Sequence, residues 1–277
     1  MVKISADNCI KCKKCEAICP VTGVDIENNN ISKDCIQCYH CGAICPQKAI
    51  GKGKLVGKTS QNNIQPYDFE LLMEQRRSHR IFSTQQVSPE LLKKFVEHMR
   101  YSPTASNLQN LSFTIVTNKK KLKEINDLSI ETISKAFRSI NDITKPIIRL
   151  LKGRHTLKTM EQSKRKFLQK AELRKDMICY NAPALIVVHS ESMPTGMPCH
   201  DANIWTGMAT LYAELLNLST CINGYIVNAA KRNKKIKQVL HIPIKNEIHS
   251  TILIGYPRTK FENRIERKMP KINFISE

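Results

Sequence analysis

Apolar residues at helical spacing predict two helices early in the larger part of the chain. Phe69, Leu72 and Met73 recur at intervals of three and one, and Asp68 suits the N-cap of the helix they predict within 68–80. A second helix is predicted within 88–102, with Ser88 as N-cap and Pro89 in its first turn. Its apolar side chains form one stripe, which comprises Leu91, Leu92, Phe95, Val96 and Met99.

Apolar runs farther along the chain predict strands. Residues 112–117, 184–190 and 251–257 each favour a strand, and 222–226 favours a strand with a turn. A long basic helical region is expected over 119–176, and the largely apolar 201–218 indicates a buried helix. Helices that flank a short mixed sheet make an α+β domain.

Composition places the chain among ordinary globular proteins. It has 277 residues, 41% of them hydrophobic. No apolar run approaches the roughly 20 residues that a membrane-spanning helix needs, and the N-terminus lacks the apolar segment of a secretory signal. We therefore expect a cytoplasmic protein that makes no membrane contact and keeps its thiols reduced.

The formal net charge of +20 is concentrated in one region. Residues 119–175 contain seventeen Lys or Arg and six acidic residues. Apolar residues at helical spacing interrupt this region and aromatic residues are not interleaved, so a solvated helical face is the plainer interpretation and a nucleic-acid partner is not expected. An acidic electron-carrier protein is the more attractive partner for such a surface.

Eight of the eleven cysteines form two copies of one motif, Cys-x2-Cys-x2-Cys-x3-Cys-Pro, at 9–20 and 35–46. This spacing binds one cubane cluster with three cysteines and sends the fourth to the neighbouring cluster. Zinc sites instead use Cys-x2-Cys pairs that long gaps separate. The predicted ligands of one [4Fe-4S] cluster are Cys9, Cys12, Cys15 and Cys45, and those of the other are Cys35, Cys38, Cys41 and Cys19.

The two clusters would take the place of an apolar core in this short region. It resembles bacterial two-cluster ferredoxins, and we expect a ferredoxin-like domain over 1–50, a Gly-, Lys-, Ser- and Asn-rich linker over 51–66 and a second domain over 67–277. Two adjacent clusters favour electron transfer, although clusters that only stabilise the fold are an alternative. Cys179, Cys199 and Cys221 are expected to be small buried residues.

Three segments of the second domain resemble the FMN-dependent nitroreductase family. They are Arg-Arg-Ser-His-Arg at 76–80 followed by Phe82, Pro-Thr-Ala-Ser-Asn-Leu-Gln at 103–109, and Ile-Gly-Tyr-Pro at 254–257. With its N-terminal region, the whole chain resembles the ferredoxin-fused members of that family. The resemblance implies a homodimer with two FMN sites at the subunit interface.

The resemblance also implies roles for individual residues. Arg76 and Arg77 would bind the FMN phosphate and ribityl chain, because a guanidinium presents a planar pair of donors to an anion. Ser78 would bind the same tail, and Arg80 would lie beside the pyrimidine part of the flavin, where its charge favours the reduced anion.

Further contacts follow from the other matching segments. Asn223 and Gly224 match the turn beneath flavin N5, and Arg267, or else Arg264, matches a phosphate-binding residue near the C-terminus. A loop of the partner subunit would line the ring through Pro103, Thr104, Ala105, Ser106 and Asn107. The sequence departs from the family at 217–222, where Asn-Leu-Ser-Thr-Cys-Ile replaces the usual Gly-Leu-Gly-Thr-Cys-Trp, and at Thr104, where serine is commoner.

The expected function is that of an oxidoreductase in which electrons pass through two [4Fe-4S] clusters to FMN, which reduces nitroaromatic or quinone-like small molecules. The donor would be a ferredoxin, NADH or NADPH. One alternative is a non-catalytic subunit that relays electrons to a protein partner. Other flavin chemistry, such as dehalogenation, and a DNA-associated iron–sulfur protein, which charge alone favours, are further alternatives.

Overall fold

The chain forms two units, each with its own core. A computed structural model describes residues 2–51, 55, 57–60, 63–173, 176–193 and 196–276. One unit comprises Met1–Ile64 with Thr104–Gln109, and the other comprises Gln65–Pro103 with Asn110–Glu277. The division at 64/65 falls inside the predicted linker, of which 52–54, 56, 61 and 62 lie outside the described residues. The domain boundaries at 1–50, 51–66 and 67–277 stay a prediction.

The first unit repeats one small arrangement. Helix α1 (Lys14–Ile18) and helix α2 (His40–Ile44) each begin after a residue in the left-handed region, Lys13 at φ 57° and Tyr39 at φ 58°. Strands β1 (Val24–Asp25) and β2 (Asn30–Ile31) pair antiparallel. The apolar core of this unit is small, as expected where bound clusters replace a larger one. Its buried side chains among the described residues are Val2, Cys15, Ile26, Cys41, Ala49 and Ile50.

The second unit is built on a four-stranded sheet. Its strands are β3 (Ser112–Val116), β4 (Ala184–Glu191), β5 (Ser219–Ile222) and β6 (Asn246–Gly255), in the order β3-β4-β6-β5. All three pairings are antiparallel. A parallel contact comes from the isolated bridge between Ser78 and Thr220, so the sheet is mixed only at this edge.

Helices cover both faces of this sheet. They are α3 (Pro66–Gln75), α4 (Pro89–His98), α5 (Lys119–Arg138), α6 (Thr144–Leu173), α7 (Pro198–Leu215), α8 (Gly224–Ala230) and α9 (Lys234–Val239). Successive side chains of β6 point to opposite faces. Ile252 therefore packs with buried residues of α4 and α7, and Leu253 packs with those of α5, α8 and α9.

The local predictions hold with three corrections. Ser88 caps α4 as expected, because its Oγ accepts from Leu91 N at 3.1 Å. Helix α3 begins at Pro66 rather than after Asp68, because proline is well accommodated in the first turn. The strand predicted over 222–226 is wrong, since β5 ends at Ile222 and α8 begins at Gly224. Cys199 is exposed, whereas Cys179 and Cys221 are buried as expected.

The predicted long helical region divides into α5 and α6, and α6 is interrupted at Gly153, which has φ 80°. Within the described ranges, none of the helices is both long enough and apolar enough to cross a lipid bilayer.

Candidate functional site

The eight cysteines of the two motifs surround two cavities of the first unit. Those at 9, 12, 15 and 45 line one cavity, and those at 19, 35, 38 and 41 line the other. The fourth cysteine of each motif thus joins the first three of the other motif. These are the two sets that the spacing predicts as cluster ligands.

Backbone donors hold the cysteine sulfurs in place. The donors are Lys11 N to Cys9 Sγ at 3.4 Å, Gly23 N to Cys19 Sγ at 3.1 Å, Gln37 N to Cys35 Sγ at 3.4 Å and Ala49 N to Cys45 Sγ at 3.3 Å. Hydrogen bonds of this kind tune the reduction potential of an iron–sulfur cluster. The two motifs receive them at matching positions, so both cavities offer a cluster the same type of surroundings.

The cysteine arrangement discriminates between zinc and a cubane cluster. Among the described residues, no three His, Cys, Asp or Glu side chains converge on one point where a single metal ion could bind. A structural zinc ion needs four ligands around itself, whereas a cubane of iron and sulfur separates the cysteines that it binds. Soft thiolate donors around a cavity therefore fit the clusters and disfavour zinc.

A second type of site is a cavity of about 280 Å³ in the second unit, between the edge of β5 and the start of α8. Arg80, Tyr180, Asn223 and Gly224 are among its lining residues. The exposed Arg80 guanidinium lies 5.9 Å from the centre of the Tyr180 ring. Burial raises the pKa of Tyr180, and the nearby Arg80 opposes that rise. The cavity thus has one permanent cation at its edge and a neutral phenol beside it.

Asn223 builds the floor of this cavity. Its Nδ2 donates to Ile178 O at 2.5 Å, and its Oδ1 accepts from Tyr225 N at 3.1 Å and from Ile226 N at 3.3 Å. Thr251 Oγ1 donates to the Asn223 carbonyl at 2.6 Å. Both the oxygen and the nitrogen of the side-chain amide thus bond to backbone groups and fix the turn, which leaves mainly backbone to meet a ligand.

Gly224 leaves the cavity open. A Cβ added to this residue would meet no heavy atom within 4 Å, so the space above it is free within the described part of the chain. A planar ring could lie against that surface. Together with the Arg80 cation, this open face fits the isoalloxazine group that the sequence predicts there.

The basic side chains of residues 76–80 do not all face the same cavity. Arg80 lines the cavity above Gly224, whereas Arg77 and His79 are buried and line a separate groove of the second unit. Arg76 and Ser78 are half-buried. The structure therefore does not bring Arg77 to the residues that surround Gly224.

The two C-terminal candidates differ in their surroundings. Arg264 Nη1 lies 2.6 Å from Glu74 Oε2, and both side chains are more than half exposed. Arg267 lies in an exposed stretch, 261–276, for which the structure shows neither helix nor strand. The assignment of the FMN phosphate to one of these two arginines stays a prediction.

The predicted flavin loop is divided between the units. Pro103 belongs to the second unit, and Thr104–Gln109 to the first. In this segment Ser106, Asn107 and Gln109 have φ of 50°, 54° and 46°. Gln109 N donates to Thr104 Oγ1 at 3.1 Å, and Gln109 Nε2 donates to Asn107 Oδ1 at 2.8 Å. The segment is a compact turn that holds itself together.

Some residues at the cavity were not expected from the sequence. Tyr180 and Asn228 line it, and Cys221, which was expected only as a buried residue, does so as well. Tyr180 lies before β4 and Asn228 lies within α8. Neither residue belongs to a sequence motif that indicates a binding site. Only the pairing of β5 with distant elements brings these residues together.

Residues 73–256 match the family model described as the nitroreductase family. This span is well over half of the chain. The chain belongs to the nitroreductase family. Residues 1–46 match the model of a 4Fe-4S dicluster domain. No curated protein matches the chain.

Solved structures of similar fold include three nitroreductases. An FMN-dependent nitroreductase from Clostridium difficile R20291 is 22% identical, with 76% of this chain and 100% of that chain covered and a TM-score of 0.53. A nitroreductase with bound FMN from Desulfitobacterium hafniense DCB-2 is 19% identical, with 74% and 97% covered and a TM-score of 0.54. An FMN- and NADPH-dependent nitroreductase from Sphigopyxis sp. strain HMH is 18% identical, with 68% and 88% covered and a TM-score of 0.51.

The family and the α+β fold predicted from the sequence are confirmed. As a member of the nitroreductase family that also has a dicluster domain, the chain is an oxidoreductase. The N-terminal match is to a two-cluster domain, which agrees with the two predicted [4Fe-4S] clusters. The similar structures named above are of FMN proteins.

Proposed function

We propose that this oxidoreductase takes electrons from a donor through its two [4Fe-4S] clusters and delivers them, by way of FMN, to a nitroaromatic or quinone-like small molecule. FMN and two [4Fe-4S] clusters are its cofactors. When bound, the clusters supply one-electron transfer and the flavin supplies hydride transfer. The residues of the chain bind these cofactors and determine the environment around them.

The residues at the cavity have distinct tasks in this proposal. Arg80 holds positive charge beside the flavin ring, where it favours negative charge on the reduced ring. Asn223 keeps the turn rigid through its three hydrogen bonds, and Gly224 leaves room for the ring. Arg76 and Ser78, on the same side of the extended segment as Arg80, are proposed to bind the ribityl and phosphate tail.

One hydrogen bond carries the proposal that the clusters supply the flavin. Asn107, which is proposed to line the flavin ring, donates from Nδ2 to the carbonyl of Ile36 at 3.0 Å. Ile36 follows the cluster ligand Cys35 directly in the chain. A segment expected to contact the flavin is therefore part of the unit that holds the cysteines, and it bonds to a cluster loop.

A homodimer is the proposed assembly. Ile204, Met208 and Leu215 on α7 are each more than two-fifths exposed, and their spacing of four and seven places them on one helix face. An apolar face of this kind is typical of an interface that a second copy covers.

The donor is proposed to be an acidic electron-carrier protein, because a chain with a formal charge of +20 attracts and steers such a partner. NADH and NADPH are the alternatives, and one of the similar structures is of an NADPH-dependent enzyme.

The test begins with protein purified without oxygen and analysed for iron, sulfide and FMN. Steady-state reduction of a nitroaromatic and of a quinone is then measured with reduced ferredoxin, NADH and NADPH in parallel. Cys12→Ser and Cys38→Ser each remove one cluster ligand, and Cys199→Ser is the matched control because Cys199 is exposed and outside both sets.

Both cluster variants are expected to lose reduction driven by ferredoxin, while dithionite-reduced flavin in the same variants still reduces the acceptor. The Cys199→Ser variant is expected to behave as the wild type. Full ferredoxin-driven rates in both cluster variants would overturn the electron path, and purified protein that reduces neither acceptor with any donor would favour a relay subunit instead.

A further inference from the structure

Two buried side chains of the 76–80 segment face away from the flavin cavity. The segment is extended here, because Ser78 forms a parallel bridge with Thr220 and His79 N donates to Thr220 O at 2.8 Å. Side chains alternate along an extended chain. Arg77 and His79, which are 8% and 5% exposed, therefore lie on the side opposite Arg80.

These two side chains line a groove of about 840 Å³. One wall is formed where α7 ends and β5 begins, with Glu214 and Asn217, and the other by the segment after β6, with Thr259 and Lys260. None of the residues that line the flavin cavity lines this groove. The groove is thus distinct from that cavity, and its lining residues include Arg264, one of the two arginines predicted to bind the FMN phosphate.

The Arg77 guanidinium offers two donors that the chain does not use. Nη1 donates to Arg76 O at 2.9 Å and to Glu74 O. Nε and Nη2 are buried and have no hydrogen-bond partner among the described residues. A buried charged group without partners is costly. The Nε and Nη2 atoms form one edge of the guanidinium, which suits two oxygens of a phosphate or carboxylate.

His79 adds a hydrogen-bond acceptor beside the Arg77 donors. Its ring is hydrogen-bonded to the Thr259 backbone and lies edge-on to Phe261, with ring centres 5.1 Å apart. Nε2 is buried and has no partner within the described ranges. Burial lowers the pKa of His79, so the ring is neutral near pH 7 and Nε2 can accept a hydrogen bond from a hydroxyl group.

We propose that this groove binds a small oxyanion that carries a hydroxyl, with two oxygens on Arg77 and the O–H on the His79 ring. Inorganic phosphate near neutral pH has this pattern, as has a small hydroxy acid. Sulfate lacks the proton. Lys260 and Arg264 in the lining add positive charge, whereas Glu214 and Glu262 oppose it. The match in hydrogen bonding, more than net charge, therefore selects the ligand.

The test uses the intact protein loaded with clusters and FMN, so that the flavin phosphate already occupies its own site. Isothermal titration calorimetry measures binding of inorganic phosphate, glycolate and sulfate. Phosphate and glycolate are expected to bind more tightly than sulfate. Arg77→Met is expected to weaken phosphate about tenfold or more, which corresponds to loss of charge-assisted hydrogen bonds, and Arg138→Gln, at an exposed arginine, serves as the matched control.

Far-UV circular dichroism shows whether Arg77→Met folds. If it does not fold, a second variant tests the proposal. His79→Phe keeps an aromatic ring but removes the acceptor, so the preference for phosphate over sulfate is expected to disappear. Three outcomes overturn the proposal: no phosphate binding to the loaded protein, equal binding of sulfate and phosphate by the wild type, or binding only to FMN-free protein with FMN lost in Arg77→Met. The last would assign Arg77 to the flavin phosphate.

Discussion

Asn107 donates a hydrogen bond from Nδ2 to the backbone carbonyl of Ile36, at 3.0 Å, across 71 positions of the chain. Asn107 is held in the left-handed region at φ 54°, and Gln109 Nε2 binds its Oδ1 at 2.8 Å. Both ends of the side-chain amide are thus used. The bond joins a turn from the middle of the sequence to the loop that contains Cys35.

Removing this bond is expected to loosen the turn and to slow electron delivery. Asn107→Ala should destabilise the first unit by about 1 kcal/mol, the usual contribution of one hydrogen bond. Flavin reduction after rapid mixing with reduced ferredoxin should be slower when the rate is expressed per bound FMN, with iron content unchanged. Stopped-flow absorbance measures the rate.

Asn28→Ala is the matched control for that experiment, because Asn28 is an exposed asparagine of the same unit whose side chain bonds to nearby Asp25. A rate in Asn107→Ala equal to the rates of Asn28→Ala and wild type would contradict the role assigned to the bond.

Substitution of Gly224 tests the flavin cavity. A Cβ here meets nothing within 4 Å, so Gly224→Ala should leave the stability of FMN-free protein unchanged or slightly raised. Gly224→Leu would fill the space proposed for the ring, and overpacking of about 1–3 kcal/mol should weaken FMN binding by about tenfold or more. Fluorescence titration of FMN-free protein measures the affinity.

Gly57→Leu is the control for the glycine series, because Gly57 is also open within 4 Å but lies outside the cavity. If Gly224→Leu bound FMN as tightly as Gly57→Leu, the cavity beside Arg80 would not be the flavin site.

Arg80 is expected to set the reduction potential of the flavin. The guanidinium lines the cavity and is exposed, so its effect is partly screened by solvent. Arg80→Met should lower the midpoint potential on the order of 30 mV, which is about 1.4 kcal/mol for a two-electron couple. Arg80→Lys keeps the charge and should restore most of the potential. Anaerobic titration against redox dyes measures it, and equal potentials in both variants would rule out an electrostatic role.

The cysteine sets could be predicted because their pattern is local. Steps of three residues and a closing proline determine which thiols can reach one cluster, and the crossing of Cys19 and Cys45 follows from the repeat itself. The structure brings the same two sets together around two cavities. The N-cap at Ser88 is a local signal of the same kind, and it too is present.

The arginine cluster shows the limit of such reasoning. Arg77 and Arg80 look equivalent in the sequence, but the bridge of Ser78 to Thr220 extends the backbone and turns the two side chains to opposite sides. Thr220 is a distant partner that no local pattern indicates. The contact of Asn107 with Ile36 could not be predicted for the same reason.

A buried histidine makes the stability of the second unit depend on pH. His189 is 5% exposed, and Asn246 Nδ2 donates to its Nδ1 at 2.8 Å, so that Nε2–H is left to donate to Thr114 Oγ1 at 3.1 Å. This pattern requires the neutral ring. Burial lowers the pKa of His189 from 6.5, and the nearby His249 lowers it further.

Because the pKa of His189 is lower in the folded than in the unfolded protein, the unfolded state takes up more protons as the pH falls below about 6.5. The stabilisation is therefore complete above that pH and is lost toward the folded-state pKa, by about 1.4 kcal/mol for each unit by which folding lowers the pKa.

Urea unfolding followed by tryptophan fluorescence at pH 7.5, 6.5 and 5.5 should show the loss, since Trp205 is buried in this unit. His189→Gln removes this titrating group and should reduce the pH dependence, although it lowers stability at pH 7.5. His79 and His249, whose pKa values burial also lowers, keep part of that dependence. His155→Gln, at an exposed histidine, should leave the wild-type slope intact, and an equally steep slope in His189→Gln would assign the pH dependence to other groups.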